Sequence, residues 1–172
     1  MKRVLSLVIG LFVLASFSGY AYAKTIAVVD LQKAMHDCKA GKHAKSEIEK
    51  LIEAKKVVID RKVNKLKKFA QDLQSSKLSK AAKDKKAASY QDMAKEIERY
   101  KGDAADEVRT KERELSTKII SDLVEIIKHY AVAHKIDTVF EVHQGLVYWN
   151  DSLDITKDII KKYDAKYSKS KK

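Results

Sequence analysis

The sequence predicts an α+β chain, in which a long antiparallel helical hairpin, a coiled-coil arm, stands on a small β-body. Three observations carry this prediction. The 172 residues include no proline and only five glycines, with 35% charged and 8% aromatic residues, so little forces a helix to stop. A heptad pattern of apolar residues follows Ser46. The β-branched segments lie near the ends, at 25–30 and 137–150.

The N-terminus is read first, because a targeting segment takes no part in the fold. Met1, Lys2 and Arg3 give a positive start, Val4 to Phe17 is apolar, and Ala21-Tyr22-Ala23 is a small-x-small cleavage pattern. This is the pattern of a secretory signal peptide over 1–23, cut before Lys24. The apolar run is short for a membrane anchor, which needs roughly 20 residues. The expected product is soluble and exported.

Thr25 to Asp30, TIAVVD, reads as a strand, with a helix beginning soon after it. Gly41 is expected to interrupt that helix or mark a bend. Cys38 is the one cysteine, so no internal disulfide can form, and it reads as a small, partly buried helix residue. Ile52, Ile59, Leu66 and Leu73 lie seven apart, with Ile48 and Phe69 in companion positions. Lys55 and Lys62 fall on the same seam. A narrow seam containing lysines suits two helices packed mainly on each other.

Ser75–Ser79 is the expected tip, with Ser79 capping the return helix. That helix carries Tyr90, Met93, Ile97, Tyr100 and Ala104, then skips four to Val108, a stutter-like change of register with Gly102 beside it. A helix of some 45 residues would reach roughly 65 Å, so the arm must project. The lysine-rich, nearly coreless stretch Lys77–Tyr100 is explained as the tip of this arm and the start of its return.

Asp137 to Val142 reads as a strand, Gln144-Gly145 as a turn and Leu146 to Asn150, LVYWN, as a further strand. A C-terminal helix follows, with Thr156 as its expected cap and Asp158 in its first turn. The boundaries are then 24–30 and 131–165 for the body, 31–130 for the arm with its tip near 75–79, and 166–172 for a frayed basic tail. Three short strands are too little sheet to stand alone beside long arms, which implies oligomerisation through the body.

Without Lys2 and Arg3 the chain carries 34 basic and 24 acidic residues, a net charge of +10. From Lys39 to Lys86 there are 16 basic and 6 acidic residues; from Ala87 to Tyr130 there are 8 and 10. Antiparallel helices with that balance attract each other and still leave a basic surface.

The residues at both ends carry a resemblance. TIAVVDLQKAM and KIDTVFEVHQGLVYWNDSLDITKDIIKKY, with Asp154, Ile155 and Thr156 as a DIT motif, resemble the Skp/OmpH family of periplasmic chaperones. The resemblance covers essentially the whole mature chain. It implies a homotrimer whose β-bodies join into a barrel and whose arms enclose unfolded outer-membrane proteins without ATP. The trimer-body candidates are Ile26, Val28, Val139, Phe140, Val147 and Tyr148. The candidate client contacts are Leu78, Tyr90 and Met93 with Lys80, Lys83, Lys85 and Lys86. Some members have a proposed basic lipopolysaccharide-binding motif, which would make lipopolysaccharide or an anionic membrane surface a further partner. Arg109, Lys111 and Arg113 lie in about that region but do not match the motif residue by residue, so it is not carried over.

Enzymatic readings find no constellation. His36 and His43 share a helical face but lie ~10 Å apart along the axis, too far for a common metal with bonds of ~2 Å. His129 and His134 point to different faces. No HExxH, P-loop, GxSxG or CxxC motif occurs. No catalytic residue, cofactor or metal is expected. Two other classes compete with a holdase. A basic helical hairpin would attract nucleic acid, but the signal peptide argues against that partner in the cell. An envelope structural coiled coil would need a continuous apolar seam and no separate body.

Overall fold

The computed structural model describes residues 25–74 and 79–170. The signal-peptide expectation and the candidate contact Leu78 lie outside these residues. In chain order the elements are β1 (Ile26–Val29), α1 (Leu31–Asp37), α2 (Lys39–Leu73), α3 (Lys80–His134), β2 (Thr138–Glu141), a 3-10 turn (Asp151–Leu153) and α4 (Thr156–Ser170). The hairpin of α2 and α3 dominates the chain. At ~1.5 Å per residue, the 35 residues of α2 and the 55 of α3 reach about 50 and 80 Å.

β1 and β2 pair in parallel, from Ile26 opposite Thr138 to Val29 opposite Glu141. Parallel strands need a long crossover, and here the whole arm is that crossover. Ala27, Val29 and Val139 face the core, where they meet α3 and α4. Leu123 of α3 and Ile159 of α4 are both fully buried there. The end of α3 that carries Ile119, Leu123, Ile126 and Tyr130 is thus the base of the arm, where it packs against the β-body and α4.

The DIT residues tie the C-terminal helix to the first strand. The Ile155 N–H donates to the Val28 carbonyl at 3.0 Å. The Asp154 carboxylate accepts from the Thr156 N–H at 2.8 Å. The Thr156 hydroxyl, expected to cap its own helix, instead accepts from the Asp30 N–H at 2.9 Å. Asp154 therefore takes the capping role, and Thr156, 1% exposed, is a buried clamp between the end of β1 and the start of α4. Of the expected tail, residues 166–170 continue α4: the helix runs to Ser170, Lys166 donates to Glu125 at 3.0 Å, and Tyr167 packs against the core.

The break in the outgoing helix falls at Cys38, three residues before Gly41. Cys38 has φ −68° and ψ 158°, so it is extended rather than helical, and it closes α1 while capping α2. Its Sγ accepts from the Gly41 N–H at 3.3 Å, and its thiol donates to the Met35 carbonyl at 3.3 Å. It is fully buried, which raises the thiol pKa. Asp164 of α4 accepts from the Lys39 N–H at 2.7 Å, placing a carboxylate at the N-terminus of α2, where the helix dipole favours it. The corner is built of small residues, Ala34, Cys38, Ala40 and Gly41, and a β-carbon on Gly41 would overlap the Met35 carbonyl oxygen.

Along the arm the seam is narrow. Ile48, Ile97 and Ala104 are buried, while Leu66, Phe69 and Leu73 are half-buried. Ile52 is displaced from its expected seam position: it is 46% exposed, with Leu51 turned further inward. The stutter is present as Tyr100, Ala104 and Val108 on the inner side, four apart, and α3 runs through it unbroken. Gly102 beside it is exposed, with open space where a β-carbon would stand. Gly102→Ala should therefore stabilise the return arm by about 1 kcal/mol. Slower amide hydrogen exchange over residues 97–108 is the expected reading, and unchanged exchange would remove Gly102 as a source of flexibility.

At the expected third strand the structure differs. Val142 to Gly145 form a turn, with Gly145 at φ 88°, a conformation that favours glycine. Leu146 to Asn150 then run without helix or strand pairing. Val147 is 98% exposed and Tyr148 82%. The segment has strand-forming residues but no neighbouring strand to complete its ladder within the described chain. Val28, a body candidate, is instead buried inside its own chain at 1% exposure.

Candidate functional site

The arm presents two kinds of surface. The first is polar and holds the helices in register. Lys55 hydrogen-bonds Glu107, Lys62 pairs with Glu96 at 2.6 Å, and Lys111 pairs with Glu47 at 2.9 Å. The lysines that interrupt the apolar seam thus pair across it. The Glu107 hydrogen bond raises the pKa of Lys55, the Lys62 hydrogen bond lowers that of Glu96, and the Glu47 hydrogen bond raises that of Lys111. Each shift favours the charged form of the residue concerned, Lys55, Glu96 or Lys111. Lys62 also lies 5.4 Å from the centre of the Tyr100 ring.

The second surface is apolar and open. Ile52, Ile59, Ala104 and Val108 floor a groove of about 530 Å³ between the two helices, with Lys56, Lys101 and Arg109 at its edge. Val57, 47% exposed, lies on the same helix. The rim cations have nearby partners on their own helices, Lys101 with Glu98 at 2.7 Å and Arg109 with Asp106 at 3.4 Å. Such exposed pairs are weak and exchange easily for other partners. The arrangement suits many weak contacts with a varied chain rather than one fixed ligand.

Toward the tip, Lys80, Lys83 and Lys85 are exposed. Lys86 is half-buried, its ammonium 5.6 Å from the centre of the Phe69 ring. Tyr90 and Met93 are half-buried on the inner side of the return helix. The candidate tip residues therefore divide: three lysines are fully presented, while Lys86, Tyr90 and Met93 also help join the helices.

In the body, Ile26, Phe140, Val147 and Tyr148 are exposed at 43%, 45%, 98% and 82%. Val139, by contrast, packs against the core. Of the histidines paired in the sequence, His43 lies against Tyr167, His134 stacks on Tyr130, and the exposed His129 is 3.8 Å from Glu125. The sequence reading missed His143, whose Nε2 is 3.4 Å from Asp30 Oδ1. Glu141 completes this group. The chain separation of Asp30 from Glu141 hides it, and the Glu-x-His spacing in EVH was its only local sign.

A long helical hairpin rising from a small β-body, with an open apolar groove between its helices, defines an arm-bearing α+β fold. The chain belongs to the OmpH-like outer membrane protein family, whose profile matches residues 25–163. An uncharacterised protein of Aquifex aeolicus (strain VF5) is 27% identical over 147 residues, covering 86% of this chain and 90% of that one. The crystal structure of a candidate outer membrane chaperone (OmpH-like) from Caulobacter crescentus CB15 has the same fold. Its TM-score is 0.78 at 18% identity, over 83% of this chain and 85% of that one.

Proposed function

We propose that this protein is an ATP-independent holdase of the periplasm. It would bind unfolded outer-membrane proteins between the arms of a homotrimer and keep them soluble on the way to the outer membrane. The observation that carries the reading is the groove of Ile52, Ile59, Ala104 and Val108, left open between two projecting helices and edged by lysine and arginine. An unfolded chain presents apolar side chains to such a floor and carboxylates to such a rim. Family membership supports the client class, and the Met1–Ala23 pattern supports export. The unpaired segment 146–150, with Val147 and Tyr148 bare, supports assembly through the body. No catalytic step is assigned. The direct test is whether the mature protein holds an unfolded outer-membrane protein in solution at low salt; aggregation at the same rate with and without it would overturn the reading.

Charge should govern capture more than holding. Exposed charges act over roughly 8 Å at physiological salt and farther at low salt, and steering by such fields raises association rates by about tenfold or more. Replacing Lys80, Lys83, Lys85 and Lys86 together with Gln should slow capture of a labelled unfolded client by about tenfold at low salt. It should also flatten the dependence of the rate on salt. Stopped-flow association at several salt concentrations reads both effects. Equal rates and equal slopes for variant and parent would leave the tip lysines as a solvated face only.

A further inference from the structure

Three side chains that the holdase reading does not use converge where the strands end. Asp30 follows β1, Glu141 closes β2 opposite Val29, and His143 lies in the next turn. One ligand atom from each, two carboxylate oxygens and an imidazole nitrogen, lie within 4.8 Å of one another. All three lie at or just beyond the carboxyl ends of the two parallel strands.

The carboxylates are held in place by backbone groups. Asp30 caps α1 by accepting from the Lys33 N–H at 2.7 Å. Glu141 Oε2 accepts from the His143 N–H at 2.7 Å. That leaves Glu141 Oε1, which is buried and has no hydrogen-bond partner. A buried anionic oxygen without a partner is costly and calls for a water or an ion. The rest of the group, the Asp30 carboxylate and the His143 imidazole, offers further atoms of the types that coordinate metal ions. His143 Nε2 at 3.4 Å from Asp30 Oδ1 is longer than a good charge-assisted hydrogen bond.

We propose that Asp30, Glu141 and His143 form a binding site for one divalent transition-metal ion of the zinc class. Imidazole with two carboxylates suits zinc and its neighbours, whereas calcium and magnesium prefer oxygen ligands alone. Bonds of about 2.0–2.2 Å require the three ligand atoms to draw in toward a common centre. His143, in a turn and 54% exposed on its side chain, has the freedom to do so. Three protein ligands leave at least one coordination position for water. The ion would join the ends of β1 and β2 to the start of α1, and so fasten the body to the root of the arm. The site is independent of client binding at the arms.

The test uses the full mature chain, stripped of metal and titrated with Zn²⁺ and with Co²⁺ as a visible-absorbance probe, with Mg²⁺ as control. The expected result is one saturable ion per chain, a Co²⁺ spectrum of mixed nitrogen and oxygen ligation, and a melting temperature raised by Zn²⁺ and not by Mg²⁺. Each of His143→Gln, Glu141→Gln and Asp30→Asn should abolish the spectrum and the thermal shift. Asn at position 30 still caps α1, and position 143 is exposed, so these two variants keep the fold intact as judged by circular dichroism. Absence of saturable Zn²⁺ or Co²⁺ binding by the parent would overturn the proposal. So would binding that survives unchanged in His143→Gln and Asp30→Asn, which would place the ion on other histidines.

Discussion

Replacing Gly41 with alanine is expected to lower the melting temperature by about 6–12 °C. The new β-carbon would overlap the Met35 carbonyl oxygen, and backbone yields far less readily than the end of a flexible side chain. Overpacking in a tight site costs about 1–3 kcal/mol, and the upper end applies where two helices must part. For a chain of this size each kcal/mol moves the transition by ~2–4 °C. The corner also positions Cys38 and Ala34, both fully buried, so separating α1 from α2 opens the core beneath them. Helix propensity alone would predict the opposite sign, since alanine favours a helix over glycine by about 1 kcal/mol. Gly102→Ala supplies that comparison on the same chain, because nothing crowds position 102. Thermal melts of the two variants beside the parent should move in opposite directions. A Gly41→Ala protein as stable as the parent would show that α1 and α2 can separate at the corner without loss.

Which features could be read from the sequence depended on how local their causes are. The arm was legible because helix period, absent proline and the Ser79 cap all act within a few residues. The cap is observed, with Ser79 Oγ accepting from the Ala82 N–H at 3.4 Å. The cross-arm pairs followed from the charge balance of the two halves, although the particular partners, such as Lys62 with Glu96, depend on helix register. The corner at Cys38 was displaced to Gly41 because glycine is the visible signal. The actual break comes from an extended cysteine held by its own thiol, next to Lys39, whose N–H donates to Asp164, 125 positions away. Thr156 has the local sequence context of a cap, while its hydroxyl serves Asp30 near the other end of the chain. Lys135 is a further case: it closes α3 in the left-handed region at φ 55°, where glycine would be expected from sequence. Ile52 illustrates the limit of periodicity for the candidate groove. Its heptad position suggests seam, but Leu51 is the more buried of the two and Ile52 stands 46% exposed on the groove floor.

Val147→Asp is expected to convert the proposed trimer to monomers while leaving the single chain folded. Val147 is 98% exposed and touches little of its own chain, so the substitution removes almost no internal packing. If segment 146–150 adds to a neighbouring body, Val147 becomes buried in each of three copies. Burying a valine contributes about 1.5–3 kcal/mol, so three copies account for several kcal/mol of assembly energy. A carboxylate forced into that interface costs several kcal/mol more per copy unless it finds a partner. Val28→Asp provides the contrast. Val28 is 1% exposed within its own chain, opposite Phe140 and beside the DIT clamp. A charge there should unfold the body itself and lower helical content at its root. Light scattering distinguishes mass, and circular dichroism distinguishes folding. The expected pattern is a parent three times the chain mass, Val147→Asp at one chain mass with helical signal retained, and Val28→Asp with signal reduced. A parent that is monomeric at the concentrations of the assay, or a Val147→Asp protein that keeps the parent's mass, would rule out assembly through this segment. The arms would then have to capture clients singly, and the apolar residues at 147 and 148 would need another partner.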